Sequence, residues 1–599
     1  MLFRLDVDLQ GNINSLLMYD YRRERRTEEA IFFGKAAVNA LQQIRKNISG
    51  LDQQVQSVFT ESHAGTFRTL AELLVQTDRL GEAEPVLDLL KVEELKEVVR
   101  GAAGNGETRV EQLKLSADQQ AAQAALDGHS SSSASLVDMS AEFATLQAKS
   151  ARTDPDTARM KTLETQIEAA NADVSAFFRK TLYPDVAGKA GIQDANALVS
   201  KEKSEVSRLQ NTLGDLGPQV MGIRLLMGDE HSYAIVITAQ ARKKFELKAT
   251  PAELRAKVLE ARELLRSPTS DPRPKLGELY TMLIGPFAGE LAALEKAETE
   301  KNKVPTLLWS LDGVLRYLPI AALYDGKRYM AERFNNVLFT LESYGHMGAA
   351  SAAGAQMQAL AMGLSKSYGG LPALPGVLPE LNAVVHDPTA PESHGPLEGR
   401  LLPDDQFTLA ALKDNLGTGN GYAVVHIASH FIEQAGGGDE PYLMLSGESS
   451  GAAEGFALTL SRLEDSTISF HGTKLLTLSA CSTAKGDAAK DGMEMDSLGM
   501  VAQQKDAETV MATLWDVNDA STSKLMSDFY ARWIKHPADG KAEALRQAQL
   551  AFLSVPAQGA AGTGERGFKN PASTSSTTPL PGYSHPFYWA PFILIGNWK

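Results

Sequence analysis

The sequence predicts a mixed α/β chain: a mainly parallel sheet flanked by helices, preceded by an α-helical region and a small β-hairpin subdomain. Three observations predict it. Residues 1–100 carry apolar side chains at helical spacing. Near residue 220 the period changes, and two strand-like runs flank Gly228-Asp229-Glu230-His231. From residue 306 onward apolar runs of strand length alternate with amphipathic segments, as in a sheet covered on both faces.

Composition bounds the function. A chain of 599 residues has room for several domains, and 43% hydrophobic with 22% charged residues is ordinary soluble composition. A formal net charge of −15 argues against a general nucleic-acid or anionic-membrane binder. The sole cysteine, Cys481, permits no internal disulfide, and a thiol-dependent protein suits a reducing compartment. Met1-Leu2-Phe3-Arg4-Leu5-Asp6 lacks the layout of a signal segment, and no run of 18 apolar residues occurs. The chain therefore reads as cytoplasmic, with no membrane span.

Residues 1–100 read as paired helices. Thr66 to Leu74 carries one apolar stripe, Asp78-Arg79-Leu80-Gly81 turns, and Ala83, Val86, Leu87 and Leu90 line a second helix. This resembles a tetratricopeptide (TPR) unit, with small Ala83 where helices approach closely, and Glu29 to Val38 looks like an earlier half-unit. A plain helical bundle is the alternative. Residues 101–215 read as a helical arm or linker, broken by Gly101–Gly106 and by a low-complexity stretch, Gly128–Ser133. Met139, Phe143, Leu146, Met160, Leu163, Ile167 and Phe177 recur at three or four positions, which predicts a helical hairpin with Asp154-Pro155-Asp156 as its turn.

Residues 216–270 hold the hairpin, with Phe245-Glu246-Leu247 as a third strand, and a helix opened by Thr250-Pro251-Ala252-Glu253. The core is assigned to residues 271–599. It starts with an amphipathic helix near Leu276, then Thr306–Ser310 as a strand and Asp312-Gly313 as a tight turn. Ala359–Leu364 reads as a strand, and helices follow at Glu380–Val385 and Phe407–Leu412. Leu525–Trp533 and Ala542–Phe552 are amphipathic helices, Ala557–Pro581 is a Gly/Ser/Thr/Pro-rich loop, and Tyr588–Gly596 closes the core as a last strand.

Three apolar runs, Val424–Phe431, Lys474–Thr483 and Val510–Asp519, end in polar residues, as buried parallel strands do where their carboxyl ends open onto a crevice. The first delivers His430 and the second Cys481, 51 positions later. A free thiol is only a few per cent thiolate at neutral pH, so a cysteine nucleophile needs a neighbouring base. His426 lies inside its apolar run and reads as a hydrogen-bonded core residue. With no H-E-x-x-H and no paired cysteines, neither a metal site nor a cofactor is predicted.

These residues resemble the CHAT peptidase family, caspase-like domains often attached to TPR repeats. The matching stretches are His426–His430, Leu478–Ala484, Ala512–Thr522, Leu525–Tyr530 and His585–Phe592. The resemblance implies a cysteine endopeptidase in which Cys481 attacks the scissile carbonyl and His430 activates the thiol or protonates the leaving amine. By the same analogy the backbone N–H groups of Cys481 and Phe431 form the oxyanion hole. The family usually has glycine where this chain has Phe431, and phenylalanine does not readily take positive φ. Ser479 falls at the position that lines the specificity pocket in relatives. Asp516 and Asp519 would either acidify that pocket or cap the helix beginning near Ala520. Gly486–Asp496 resembles the mobile loop that shapes such pockets. Bacterial relatives act in programmed-response and defence systems. The partners implied are a protein substrate and a protein regulator bound through the helical repeats. The competing reading is a signalling scaffold that keeps the fold without catalysis.

Overall fold

The computed structural model describes residues 2–48, 63–98, 153–181, 208–301, 303–348, 357–417, 421–432, 440–447, 456–465, 467–482, 492–515, 519–554 and 582–599, with 112–115 and a few positions between 119 and 149. The chain forms two units. One comprises Met1–Leu90 and Glu107–Val206, the other Lys91–Gly106 and Ser207–Lys599. Several sequence readings lie outside the described residues: Gly101–Gly106, Gly128–Ser133, most of Gly486–Asp496, Asp516 and Ala557–Pro581.

The first unit is helical. Its helices are α1 (Leu2–Arg23), α2 (Thr27–Ile48), α3 (Ala64–Gln76), the start of α4 (Leu80–Val98) and α5 (Asp154–Thr181). Helix α2 packs on both α1 and α3. The approach is close at Gly34, where a Cβ would fall 2.8 Å from Met18 Sδ and 2.9 Å from Leu70 Cδ1. Phe32, Phe67, Leu70, Leu74 and Ala83 are buried there, and Arg22 meets the buried Glu72 at 2.8 Å. The side-chain amide of Asn39 on α2 holds one residue of an extended segment twice. Leu113 N–H donates to its Oδ1 at 2.7 Å, and its Nδ2 donates to the Leu113 carbonyl at 3.0 Å.

One expectation here needs correcting. Asp154-Pro155-Asp156 is the first turn of α5, not a hairpin turn. The Asp156 carboxylate accepts from Thr153 N–H and Oγ1 at 2.9 and 2.8 Å, so residues that suit a turn instead satisfy a helix N-terminus. Arg159 on α5 still reaches Glu142 at 2.6 Å, so the arms of the hairpin do meet.

The second unit is built on one sheet, with fourteen strands among the described residues. After α6 (Arg208–Leu216) come β1 (Val220–Met227), β2 (Ser232–Ile237) and β3 (Arg242–Glu246), then α7 (Pro251–Leu265), α8 (Arg273–Leu283) and α9 (Ala288–Thr299). Thr250 and Glu253 close the expected capping box on α7. Then follow β4 (Thr306–Ser310), β5 (Asn335–Leu338), β6 (Ala359–Gly363), α10 (Val377–Val384), β7 (Val385–His386), β8 (Leu397–Pro403), α11 (Leu409–Leu416) and β9 (Val424–Ile432). A short hairpin of β10 (Tyr442–Met444) and β11 (Ala457–Thr459) leads into α12 (Leu460–Asp465) and β12 (Leu475–Ser482). The chain closes with α13 (Met493–Gln504), β13 (Thr509–Thr513), α14 (Asp519–Lys535), α15 (Gly540–Leu553) and β14 (Phe592–Gly596).

The spatial order is β3-β2-β1-β4-β5-β14-β13-β12-β9-β6-β8-β7, with β10 pairing onto β9. The strands from β13 through β12, β9, β6 and β8 to β7 are parallel, as the apolar runs predict, while β14 is antiparallel to β13. The antiparallel β1–β3 piece is continuous with this sheet, because β1 pairs β4 in parallel from Val220↔Thr306 to Arg224↔Ser310. All eight residues of β1, flanked by β2 and β4, are buried, and the charged β3 is left at the edge, where Arg242, Lys243 and Lys244 discourage further strand addition. Close approach of β6 and β9 requires glycine: a Cβ on Gly363 of β6 would stand 2.3 Å from the Ala428 carbonyl of β9.

Candidate active site

Strands β9 and β12 are neighbours in the middle of the sheet and pair in parallel without a break from Leu475↔Val424 to Ser482↔Phe431. Both read as buried apolar runs, so both are held on two sides and two faces. In this register Cys481 stands opposite His430, and Thr477 stands opposite His426. Side chains alternate along a strand, so His426, His430, Thr477 and Cys481 share one face. The sequence-predicted pair is therefore brought together at the carboxyl ends of adjacent strands. The Cys481 side chain itself lies outside the described residues.

His430 is buried, and its Nε2 lies 3.0 Å from the carbonyl oxygen of Pro372. A carbonyl only accepts, so Nε2 carries the proton and, in the neutral ring, Nδ1 carries the basic lone pair. The loop that supplies this carbonyl follows β6. It is pinned by Asp404, whose carboxylate accepts from Ser365 N–H at 2.7 Å, Lys366 N–H at 3.0 Å and Ser365 Oγ at 2.8 Å. Leu374 N–H closes it on the Ser365 carbonyl at 2.9 Å, and Tyr368 donates to Asp405 at 2.7 Å.

Below the pair on the same face lies a polar chain that sequence reasoning missed. His426 Nε2 lies 3.0 Å from Glu380 Oε1 on α10, and its Nδ1 lies 3.1 Å from the Tyr530 hydroxyl on α14. The same hydroxyl lies 2.7 Å from Thr477 Oγ1 on β12. All four residues are buried. Burial, with the charge of Glu380 adding to it, pushes the Tyr530 phenol well above its ordinary value, so it stays a neutral donor. One clue was present in the sequence: a lone carboxylate, Glu380, on an otherwise apolar helix face.

The other predicted positions separate. Phe431 points to the opposite face, where it lines an apolar cavity with Ile427, Leu443, Leu458, Leu476 and Leu478. Its backbone is extended and in register with Ser482 on one side and Leu443 of β10 on the other. Ser479 is fully buried two positions before Cys481, and its Oγ has no hydrogen-bond partner among the described residues. Asp519 is the first residue of α14, with its side chain outside the described residues, as is the whole of Asp516. His585 caps the short helix Pro586–Trp589 by accepting from Phe587 N–H at 2.9 Å. Among the described residues no cluster of metal-ligating side chains occurs.

The sheet is mainly parallel and flanked by helices, an α/β domain with a histidine and a cysteine in register at neighbouring carboxyl ends. The family model of the CHAT domain matches residues 273–597, more than half of the chain, and this chain belongs to the CHAT domain family. No curated protein matches it significantly. Among solved structures, the Saccharomyces cerevisiae separase–securin complex is similar at 8% identity, covering 95% of this chain and 54% of that one with a TM-score of 0.39. This chain spans about half the length of that protein. No described helix is long and apolar enough to cross a membrane.

Proposed function

We propose that this chain is a regulated cysteine endopeptidase in which Cys481 is the nucleophile and His430 the base, with the helical unit, read as TPR-like repeats, binding a protein regulator or substrate. The observation that carries the reading is the direct cross-strand pairing of Cys481 with His430, whose imidazole is oriented by the Pro372 carbonyl. Nδ1 of that tautomer is the nitrogen able to take the thiol proton. The thiolate attacks the scissile carbonyl, the protonated imidazole returns the proton to the leaving amine, and water releases the acyl group. The backbone N–H of Cys481 supplies one oxyanion donor. For Phe431 to supply the second, its N–H has to turn out of the sheet: even residues of β9 direct their backbone groups to the β6 side, as the Ala428 carbonyl does in accepting from Leu364, so Phe431 faces β12, in register with Ser482. Ser479 and the Asp516/Asp519 turn would line the pocket for the substrate side chain. A cytoplasmic location suits the single thiol.

Labelling with a panel of peptidyl acyloxymethyl ketones tests this, comparing wild type with Cys481→Ala and His430→Ala, with and without lysate of the native host. Labelling that both substitutions abolish is the expected result. Persistent labelling of His430→Ala at the wild-type rate would sink the dyad. The extended, in-register backbone of Phe431 beside β12 favours a second reading, a CHAT scaffold that binds partners and does not cleave. Absence of labelling under every condition would support that reading.

A further inference from the structure

We propose that Glu380, His426, Tyr530 and Thr477 are positioning residues that hold β9 and β12 in register beneath the dyad, so that the hydrogen-bond chain, rather than packing alone, sets the spacing of His430 and Cys481. The inference rests on the dyad reading above. Its geometry begins with the register: Thr477↔His426 lies four residues below Cys481↔His430 on both strands and on the same face.

The proton count of the chain closes. With Nε2–H of a neutral His426 donating to the Glu380 carboxylate, Nδ1 is left to accept from the Tyr530 hydroxyl, whose oxygen can accept in turn from Thr477 Oγ1–H. Each donor is used once, and the chain runs unbroken from β12 through α14 and β9 to α10. A fully satisfied buried chain is stiff, whereas loss of one member leaves the remainder with an unmet polar group.

Both histidines of β9 use Nε2 to grip the same stretch of chain between β6 and β7. His430 holds the Pro372 carbonyl of the loop, and His426 holds Glu380 on the helix that follows it. The group that orients the base and the group that anchors its strand are thus eight residues apart in one connection. From the other side of His426, Tyr530 reaches β12 through Thr477.

The chain has one cysteine, so alkylation reads Cys481 alone, without any knowledge of substrate. Full-length protein is treated with iodoacetamide across pH, and the apparent thiol pKa is taken from the rates. Wild type should titrate below the free-thiol value of ~8.5, and His430→Ala should return it towards that value. Tyr530→Phe and Thr477→Val, which keep the packing and remove the hydroxyls, should each raise the apparent pKa by about one pH unit. Thr477→Ser, which keeps the hydroxyl, should retain the wild-type profile. Circular dichroism and melting temperature confirm that each variant is folded. A purely structural role would lower melting temperature and leave the titration of the folded protein in place. The proposal is overturned if Tyr530→Phe and Thr477→Val superimpose on wild type while His430→Ala shifts. If wild type is undepressed and His430→Ala changes nothing, the dyad reading fails and this one falls with it.

Discussion

Phe431 shows how one side chain can answer two demands. On β9 the positions alternate, so the residue after His430 must face the apolar cavity behind the sheet, and an aromatic ring fills space there that glycine would leave empty. Phe431→Ala should cost ~3–5 kcal/mol of stability, the usual range for a buried phenylalanine, read as a lower urea midpoint. An unchanged midpoint would mean the ring is not packed as described. His585 offers a test by pH. Burial pushes its imidazole down to about 4 from an ordinary 6.5, with the Ser270 backbone and Asp271 opposing. The folded state therefore binds its proton less readily than the unfolded chain. Its contribution to stability is complete above pH 6.5 and is lost as the pH falls from there to about 4. His585→Asn keeps a side chain that caps well and does not titrate, so stability measured at pH 7 and pH 5 should differ less in that variant than in wild type. Equal differences in the two proteins would exclude His585 as the source.

Among elements, those with a long period were legible and short ones were not. Strands β9, β12 and β13 announced themselves as apolar runs, and α7 by its Thr-Pro-x-Glu start. Strands β10 and β11 have three residues each, too few to show any period, and β8 mixes Glu398 and Arg400 into its exposed side. The placing of His430 and Cys481 at neighbouring strand ends was legible because each closes an apolar run. Pro372 and Tyr530 were not, since a main-chain oxygen has no letter and a buried hydroxyl looks like any core tyrosine. A further hidden element-level contact lies within the second unit at the 3-10 turn Gly313–Tyr317. There Arg316, almost fully buried, pairs with Glu94 and, at 2.7 Å, with Asp496 near the start of α13. Lys91 also reaches Asp496, at 2.8 Å, but one ammonium cannot balance two buried carboxylates, so Arg316→Met should destabilise the second unit by ~3 kcal/mol, measured by chemical denaturation. A loss of under ~1 kcal/mol would show the carboxylates reach water without it.

For the whole second unit, the β1–β4 pairing decides what unfolds together. A hairpin joined only by its linker would open on its own, whereas β1 shares its ladder and its buried face with β4. Hydrogen exchange should accordingly give the amides of β1 and β4 protection comparable with β9 and β12. Much faster exchange in β1 would divide the unit in two. Charge acts over the molecule too. With a net charge of −15, the protein should bind an anion exchanger at neutral pH and pass through heparin at low salt. Retention on heparin would point to a basic surface that the net charge conceals.

The oxygen that orients His430 belongs to the main chain, at Pro372. No codon change deletes it. A scan that replaces every side chain by alanine would therefore test His430 and the proposed nucleophile and never reach the group that orients the imidazole. Inherited variation has the same blind spot, and reaches this contact only through the residues that shape the loop, Asp404 foremost among them.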